Sequence, residues 1–403
     1  MYSAETTQLT IDLAANYLLA NIQSNGQFVY RRNTNPKIKI KPKYNILRHA
    51  GTIYALCSYQ QLFPHRDTPA AIQRAGEFLV ENAIAPLPEA PDILAVWSDP
   101  DINGSDRPPQ AKLGGTGLGL VALAQIQRMQ PEWISIAKLQ QLGQFLTYMQ
   151  KEDGGFAAKY VPSQGGIRDD WQSLYYPGEA ALGLLELYQQ DPQEVWLQAA
   201  LDSLTYLARS RQGKKQVPAD HWALLATEKL FSLTTEEQRS GSSNLLTNHA
   251  RQICQQILRH LPEQQVIEDW GLMRDVSTSL NASGRTTPTA TRLEGLLAAW
   301  SFLPESAMGE LMEAAIRAGM VFLQRSQIRE GPFAGGIPRA IAPLSSTHHS
   351  DDARKSIQKF NRRATEVRID YVQHTLSATI QYFRLFCRPG SHSLERRDNR
   401  QLW

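Results

Sequence analysis

Six segments of the chain share one pattern of polar and apolar positions. Each opens with polar, aromatic or glycine residues and continues into a helical run rich in Ala, Gly and Leu that is apolar on most of its circumference. The six segments begin at Leu47, Leu113, Tyr175, Asp220, Thr287 and Asp370. Because such a helix cannot face water and must be packed on several sides, the pattern predicts six inner helices.

Between these segments lie stretches in which apolar residues recur with the amphipathic period of a surface helix. They predict six outer helices, over residues 9–22, 70–83, 134–149, 194–209, 245–261 and 309–324. The alternation predicts an all-α fold, an (α/α)6 toroid of about twelve helices. The alternatives are an irregular all-α protein and an open solenoid. A solenoid needs polar capping repeats at its ends, whereas the last unit, 371–386, is as apolar as the others, which favours closure.

Turns with glycine and often an aromatic residue follow the outer helices. They lie at 24–28, 152–156, 268–271 and 331–336. Glycine lets the backbone take positive φ at a helix end, and we expect the aromatic ring to fold back on the outer helix. β-prone pieces follow at 28–31 and 156–161 and predict short hairpins on one face of the ring. The longer connections lead into the inner helices, which predicts that the site lies on this face.

Two loops depart from the repeat. Residues 86–110 are rich in Pro and Asp and form a loop long enough to hang over the ring mouth. Residues 341–368 are strongly polar, which indicates a solvated insert or a mobile lid. No Pro/Ser/Gly-rich linker divides the 403 residues, so we expect one toroid domain over 1–388 and a tail without function over 389–403.

Composition excludes some partners. The formal net charge is +3, with 42 basic and 39 acidic side chains, which argues against binding to nucleic acid or an anionic membrane. The three cysteines have no metal-ligand spacing and are expected to be buried thiols, and we expect no metal and no cofactor. The first residues lack a leader pattern, and no run approaches the ~18 apolar residues of a membrane span, so a cytoplasmic location is expected.

The starts of the inner helices carry the candidate chemistry, because a ring of this type points one set of helix ends at a central funnel. Carboxylates, imidazoles, phenols, guanidinium and indole are costly to bury together unless they meet a polar ligand. The predicted substrate-binding residues are Tyr44, Arg48, His49, Tyr175, Tyr176, His221, Trp222, Arg292, Tyr371 and His374. Each also has a structural interpretation, and for His221 and His374 a hydrogen-bonded core histidine is the commoner fate.

Three carboxylates are candidate catalysts. Glu179 lies at the first turn of an almost wholly apolar helix, where it is either paired with an arginine or chemically active. Asp220 and Asp370 stand where a helix N-cap belongs, and capping alone explains many such aspartates. Two carboxyls in different surroundings permit glycoside hydrolysis, with one protonated and one ionised. We therefore predict Glu179 and Asp220 as the pair, with Asp370 as substitute for either.

The layout from about residue 9 to 386 resembles the six-hairpin glycosidase-like superfamily of (α/α)6 barrels. The resemblance rests on the repeat rhythm and on helix starts such as Tyr175-Tyr176-Pro177-Gly178-Glu179 and Asp220-His221-Trp222. That superfamily includes glycoside hydrolases, unsaturated glucuronyl hydrolases, sugar 2-epimerases and polysaccharide lyases. The resemblance implies a carbohydrate site in the funnel, with acidic catalysts near the inner-helix starts.

A second resemblance concerns the turn at 150–156, Gln-Lys-Glu-Asp-Gly-Gly-Phe, which is similar to the Q-x-x-D-G-G-F/W turns of terpenoid cyclases and protein prenyltransferases. Those proteins are also α/α toroids. The Asp-rich acid motif of a cyclase is not evident in this sequence, and no Cys/His/Asp set offers a convincing zinc site. The turn therefore supports the toroid without choosing its chemistry.

The sequence thus favours a carbohydrate-active enzyme, a glycoside hydrolase acting on a sugar or oligosaccharide. A sugar epimerase or polysaccharide lyase is the closest alternative, with His49, His221 or Tyr176 moving a proton and Glu179 orienting the base. A toroid that only binds glycans or a protein partner is another, and a terpenoid cyclase-like toroid is the last. The sequence does not identify a protein partner.

Overall fold

The computed structural model describes residues 3–65, 67–259, 284–303, 307–344 and 351–387. The outer helices are α1 (Ala4–Ala20), α3 (Thr68–Ala83), α6 (Ile136–Tyr148), α8 (Glu194–Arg211), α10 (Ser243–Leu258) and α12 (Ala307–Ser326). The inner helices are α2 (Ile46–Leu62), α5 (Leu113–Met129), α7 (Tyr176–Tyr188), α9 (His221–Leu233), α11 (Thr286–Phe302) and α14 (Ile369–Tyr382). Two further helices, α4 (Pro100–Asn103) and α13 (Asp351–Ala364), lie in connections.

The inner helices form a closed ring. Each packs on the next in the order α2, α5, α7, α9, α11 and α14, and α14 packs back on α2. Every outer helix packs on inner helices, so the ring has two layers. The predicted (α/α)6 toroid is confirmed, and the open solenoid is excluded.

Small residues set the spacing of the inner ring, most clearly between α5 and α7. A Cβ atom on Gly117 would lie 2.6 Å from the backbone oxygen of Glu179, and one on Gly183 would lie 2.7 Å from that of Gly117. Real Cβ atoms do not approach this closely, so only glycine lets the two backbones touch. All residues of α5 from Leu113 to Ile126 are buried, as expected for a helix packed on several sides.

The glycine turns join the outer helices to one another. Gly154 has φ of +85°, and a Cβ there would lie 2.7 Å from the backbone oxygen of Asp202 in α8. Gly335, after α12, has φ of +84° and would place a Cβ 1.9 Å from the backbone oxygen of Leu13 in α1. The turn after the last outer helix therefore docks on the first, which closes the outer layer as well.

Short antiparallel strands occupy the connections into the inner helices. One sheet has the order β2 (Ile84–Leu87), β3 (Ala90–Ser98), β4 (Gln110–Lys112), β5 (Lys159–Val161) and β6 (Gly166–Arg168), and Ala111 pairs with both Trp97 and Tyr160. A second sheet pairs β1 (Arg31–Asn33) with β7 (Glu366–Arg368). The hairpin expected at 156–161 is present as β5 and β6. At 28–31, Phe28 forms an isolated antiparallel bridge with Ile22, whereas β1, which begins at Arg31, pairs with β7 from the far end of the chain.

The two unusual loops contain regular structure over their described residues. Residues 86–110 contribute β3, the end of β2, α4 and the start of β4, so strand pairing holds much of this connection. Residues 341–368 contain α13 and β7, and a small apolar cluster of Ala340, Phe360 and Ala364 anchors α13. The predicted turn at 268–271 and the tail 389–403 lie outside the described residues.

Two expectations from the sequence concern the cysteines and membrane-spanning helices. Cys57 and Cys254 are buried and Cys387 is half-buried, and all three are free thiols. Among the described residues, no helix is both long and apolar enough to span a membrane. A single domain over 1–388 stays a prediction.

Candidate functional site

Side chains from the first turns of several inner helices meet at one face of the ring. Asp370 of α14 reaches Arg48 of α2, and Glu179 of α7 lies against Gly114 of α5. The start of α9 meets side chains of α11 and α14 through His221. This convergence is what the toroid predicted for the inner-helix starts.

The centre of the site is a group that we call the His–Glu cluster, made of His221, Glu294 and His374. The Nδ1 atom of His374 lies 2.7 Å from Oε2 of Glu294, a hydrogen-bond distance. The Nε2 atom of His221 lies 3.8 Å from the same oxygen, and the two imidazole rings are 5.5 Å apart between centroids. Glu294 is 0 % exposed and His221 is 3 % exposed, whereas the side chain of His374 is 12 % exposed, so the cluster meets water through His374.

His221 is unusual because neither of its ring nitrogens has a hydrogen-bond partner among the described residues. Burial lowers the pKa of His221 well below its usual value, and the neighbouring His374 lowers it further, so this imidazole is neutral at pH 7. A buried polar group without a partner is costly, and a ligand that supplies one removes that cost. The ring is held in place by Trp222 and Tyr175, at 4.9 and 5.6 Å between centroids.

The His–Glu cluster also has the donor types of a divalent transition-metal site. Its three nearest ligand atoms all lie within 4.8 Å of one another. Two ligands of a tetrahedral metal at ~2.0–2.1 Å stand roughly 3.3 Å apart, whereas His374 and Glu294 are at a hydrogen-bond distance. The geometry therefore fits a hydrogen-bonded histidine and carboxylate better, although the donors would suit Zn²⁺.

Glu179 is a buried carboxyl group that occupies the space left by the missing side chain of Gly114. A Cβ on Gly114 would lie 1.9 Å from its Oε2, so the absence of a side chain at Gly114 makes room for the carboxyl. That Oε2 has no hydrogen-bond partner among the described residues. Burial raises the pKa of Glu179 well above its usual value, the charge of Asp220 raises it further, and Arg48 opposes the rise. The raised pKa favours the protonated carboxylic acid, which is able to donate a proton.

Asp220 is engaged in a buried ion pair. Its Oδ2 accepts a hydrogen bond from Nη2 of Arg211 at 2.8 Å, and its Oδ1 accepts one from the backbone N–H of Ala223 at 3.1 Å, which caps α9. Arg211 is 7 % exposed and its other nitrogen lies 3.3 Å from His249. Both carboxylate oxygens are therefore occupied by structural partners, which favours capping over catalysis for Asp220.

Asp370 lies between two arginines. Its Oδ2 is 2.9 Å from Nε of Arg48 and accepts a hydrogen bond from Nη2 of Arg368 at 2.8 Å. Burial raises the pKa of Asp370, but Arg48 and Arg368 together hold it below its usual value, so the carboxylate is ionised. Arg48 also donates to the hydroxyl of Tyr30 at 2.6 Å. Asp370 thus orients two guanidinium groups at the funnel.

Tyr44 and His49 are bound to each other, and His49 reaches the outer helix α3. The Tyr44 hydroxyl is 2.7 Å from Nδ1 of His49, and Nε2 of His49 is 2.8 Å from the backbone oxygen of Ala75. Burial lowers the pKa of His49 to about 4, and the ring contacts Phe28 and Phe78. Both ring nitrogens are satisfied, which favours a structural role for this histidine.

The remaining predicted residues lie at the inner-helix starts. Tyr175 is exposed, Tyr176 is half-buried, and Trp222 and Arg292 are buried. Tyr371 donates its hydroxyl proton to Glu366 at 3.0 Å and lies beneath the guanidinium of Arg368, so it belongs to the arginine cluster.

Sequence reasoning did not identify three contacts that shape the site. Arg211 lies at the end of an outer helix, where nothing in the sequence marks it as the partner of Asp220. Arg368 stands two positions before Asp370, and this spacing was an available signal. Glu294 lies about two turns inside its helix, and its contact with His374 joins residues 80 positions apart.

Comparison with known proteins was made on sequence and on structure. No protein-family model matches the chain, and no curated protein is significantly similar to it in sequence. The structure is similar to cellobiose 2-epimerase from Bacillus thermoamylovorans B4167, with TM-score 0.68 and 11% identity over 94% of this chain and 98% of that chain.

Two hydrolases are similar as well. The glycosyl hydrolase family 88 protein from Bacteroides vulgatus has TM-score 0.62 and 12% identity, over 95% of this chain and 99% of that chain. The GH76A alpha-1,6-mannanase from Salegentibacter sp. HEL1_6 has TM-score 0.57 and 11% identity, over 94% of this chain and 98% of that chain. At these identities the likeness concerns the fold. The chain has the (α/α)6 toroid of the six-hairpin glycosidase-like proteins.

Proposed function

We propose that the protein is a carbohydrate-active enzyme that moves a proton on a carbon atom of its sugar, as a sugar epimerase or isomerase does. The observation that carries this proposal is the pair of imidazoles in the His–Glu cluster. One histidine is oriented by a buried carboxylate, and the other is neutral and has no partner for its nitrogens. The structurally similar proteins named above act on sugars and place this proposal within carbohydrate chemistry.

The arrangement suits proton transfer for the following reason. His221 is the base, because its imidazole is neutral and its ring nitrogens have no partner among the described residues. It removes a proton next to the carbonyl carbon of an open-chain sugar, so that a C–H bond breaks, an N–H bond forms and an enediol results once an acid protonates the carbonyl oxygen. His374, on a ring 5.5 Å away, is the acid on carbon: as an imidazolium that donates Nδ1–H to the Glu294 carboxylate, it gives its Nε2 proton to carbon from its own side, while the enediol hydroxyl returns its proton to the acid that supplied it. Return on the opposite face inverts that carbon.

Glu179 supplies a complementary group. Burial and the charge of Asp220, the residue next to His221, both raise its pKa and favour its protonated form. An acid of this kind can protonate the carbonyl oxygen as the enediol forms. In this role Glu179 is the acid, and the histidines act on carbon.

Solvent exchange tests the proposal. Sugars and disaccharides are incubated with the enzyme in D2O, and NMR measures deuterium at the carbon next to the carbonyl. His374→Asn and His221→Asn should slow the exchange by ~10²–10⁴-fold, the usual contribution of a general base or acid. His65→Asn, at an exposed position between α2 and α3, is the matched control and should exchange like the wild type. Unchanged exchange in both cluster variants contradicts the proposal.

Glycoside hydrolysis is the second candidate, and the raised pKa of Glu179 favours it. A protonated carboxyl with an ionised carboxylate such as Asp370 on the same face is the pairing that a glycosidase needs. Glu179→Gln should then abolish release of reducing ends from an oligosaccharide panel while sugar binding survives. A panel that yields neither cleavage nor deuterium exchange favours a toroid that only binds glycans.

A further inference from the structure

A cavity of about 270 Å³ opens beside the starts of α2 and α5. Three cationic side chains line it: Lys43, Arg107 and Lys112. Ser98 and Gln110 add polar groups and are themselves more than nine-tenths buried. None of the described residues that line the cavity carries a carboxylate. A concave, polar and positively charged space of this kind is suited to an anion.

Among the described residues, the cations of this cavity have no acidic partners: Lys43, Arg107 and Lys112 form no ion pair, whereas Arg48 nearby is bound to Asp370. Lys43 and Arg107 are exposed, and Lys112 is half-buried. Burial together with the charges of Arg107, Arg48 and Lys159 lowers the pKa of the Lys112 ammonium group. Lys112 is therefore the cation that a bound anion stabilises most, because water screens its charge least.

The cavity adjoins the candidate site. Lys112 is the N-cap residue of α5, and Gly114, two positions later, contacts the carboxyl of Glu179. The charge of Arg48 acts on the pKa of both Lys112 and Glu179, so all three side chains lie in one neighbourhood. The N-terminal dipole of the 17-residue helix α5 adds to the positive potential. A ligand in the funnel therefore has a cationic cavity within reach on one side.

We infer that the substrate is an acidic sugar, whose carboxylate, phosphate or sulfate group binds Lys43, Arg107 and Lys112 in this cavity. The inference rests on the proposed function for the sugar part of the ligand. It adds the substrate class, which neither the His–Glu cluster nor the fold specifies. The three anions share the chemistry that the cavity recognises, and the choice among them is left to the binding experiment.

Titration calorimetry on the full chain tests this inference at low salt and pH 7.5. The probes are glucose, glucuronate, glucose 6-phosphate, glucose 6-sulfate and inorganic phosphate. We expect at least one sugar anion to bind about tenfold or more tightly than glucose, the gain from one or more charged hydrogen bonds. Lys112→Gln and Arg107→Gln should each remove about tenfold of that preference and leave glucose binding unchanged, which shows that the variants are folded.

Lys138→Gln, on the outer helix α6, is the matched control and should keep the full preference. Two results overturn the inference: all sugar anions binding no more tightly than glucose, or an anion preference that both cavity variants retain. If inorganic phosphate binds but no sugar anion binds more tightly than glucose, the inference is also overturned. The outcome is separable from the proposed function. Deuterium exchange into a neutral sugar without anion preference refutes only the inference, and tight binding of a sugar anion without exchange refutes only the proton transfer.

Discussion

Asp220→Asn separates a structural aspartate from a catalytic one. Asparagine caps a helix as well as aspartate does, so the hydrogen bond to the backbone of Ala223 is kept and only the charge is lost. Arg211 then remains buried at 7 % exposure without its counter-ion, beside a histidine whose pKa burial lowers to about 3 and which cannot supply negative charge. Removing one partner of a buried ion pair costs about 3–5 kcal/mol.

Urea unfolding of the purified variant measures this cost. We expect a loss of ~3–5 kcal/mol in the free energy of unfolding, with the folded fraction retaining turnover within a few-fold of the wild type. The double variant Asp220→Asn with Arg211→Met should recover much of the lost stability, because deleting both charges leaves neither one unpaired. A variant as stable as the wild type but slower by orders of magnitude would refute the structural interpretation and restore Asp220 as a catalyst.

Three further predictions follow from single contacts. Gly114→Ala should displace the carboxyl of Glu179 and cost ~1–3 kcal/mol, as overpacking does. Gly115→Ala should be tolerated, because its Cβ lies 3.2 Å from the flexible end of Leu47 and 3.6 Å from the backbone oxygen of Val96. Equal stabilities of the two variants in urea would contradict this. His49 has its pKa lowered to about 4, so it contributes stability that is complete above its unfolded pKa of ~6.5 and is lost as the pH falls toward 4. The stability difference between wild type and His49→Gln should thus shrink by about 1.4 kcal/mol per pH unit over that window, and a constant difference would show that the histidine is not buried in its neutral form. Zn²⁺ should inhibit proton exchange by binding the His–Glu cluster, EDTA should restore it, and Mg²⁺, which prefers oxygen ligands, should have no effect. Exchange that depends on added Zn²⁺ would contradict the metal-free mechanism.

The architecture could be predicted because it depends on patterns that are local in the sequence. The Ala/Gly/Leu runs gave all six inner helices within a few residues, since an apolar circumference constrains each helix by itself. Closure followed from the last run, α14, which is as apolar as the others. Pairing was harder, because β1 finds its partner more than 330 positions away in β7, and no local signal marks that register.

The candidate site could be predicted in position more than in role. The rule that inner-helix starts converge selected His221 and Glu179, and it also selected His49, whose ring turns toward the outer layer. The chemical role of each residue depends on the side chains that it contacts. The ion pair of Asp220 with Arg211 and the contact of His374 with Glu294 both cross between helices, and such contacts cannot be read from a single sequence.

The place of α14 in the ring has a consequence for how the protein is made. Because α14 lies between α11 and α2, one side of the first inner helix, α2, has no packing partner until residue 382 has left the ribosome. During most of its synthesis the nascent chain is an incomplete ring. Its first and last inner helices each expose an apolar surface, and such surfaces are prone to aggregate. We expect a chain truncated before residue 369 to stay bound to a chaperone. The intact chain should be released from the chaperone when α14 packs between α11 and α2.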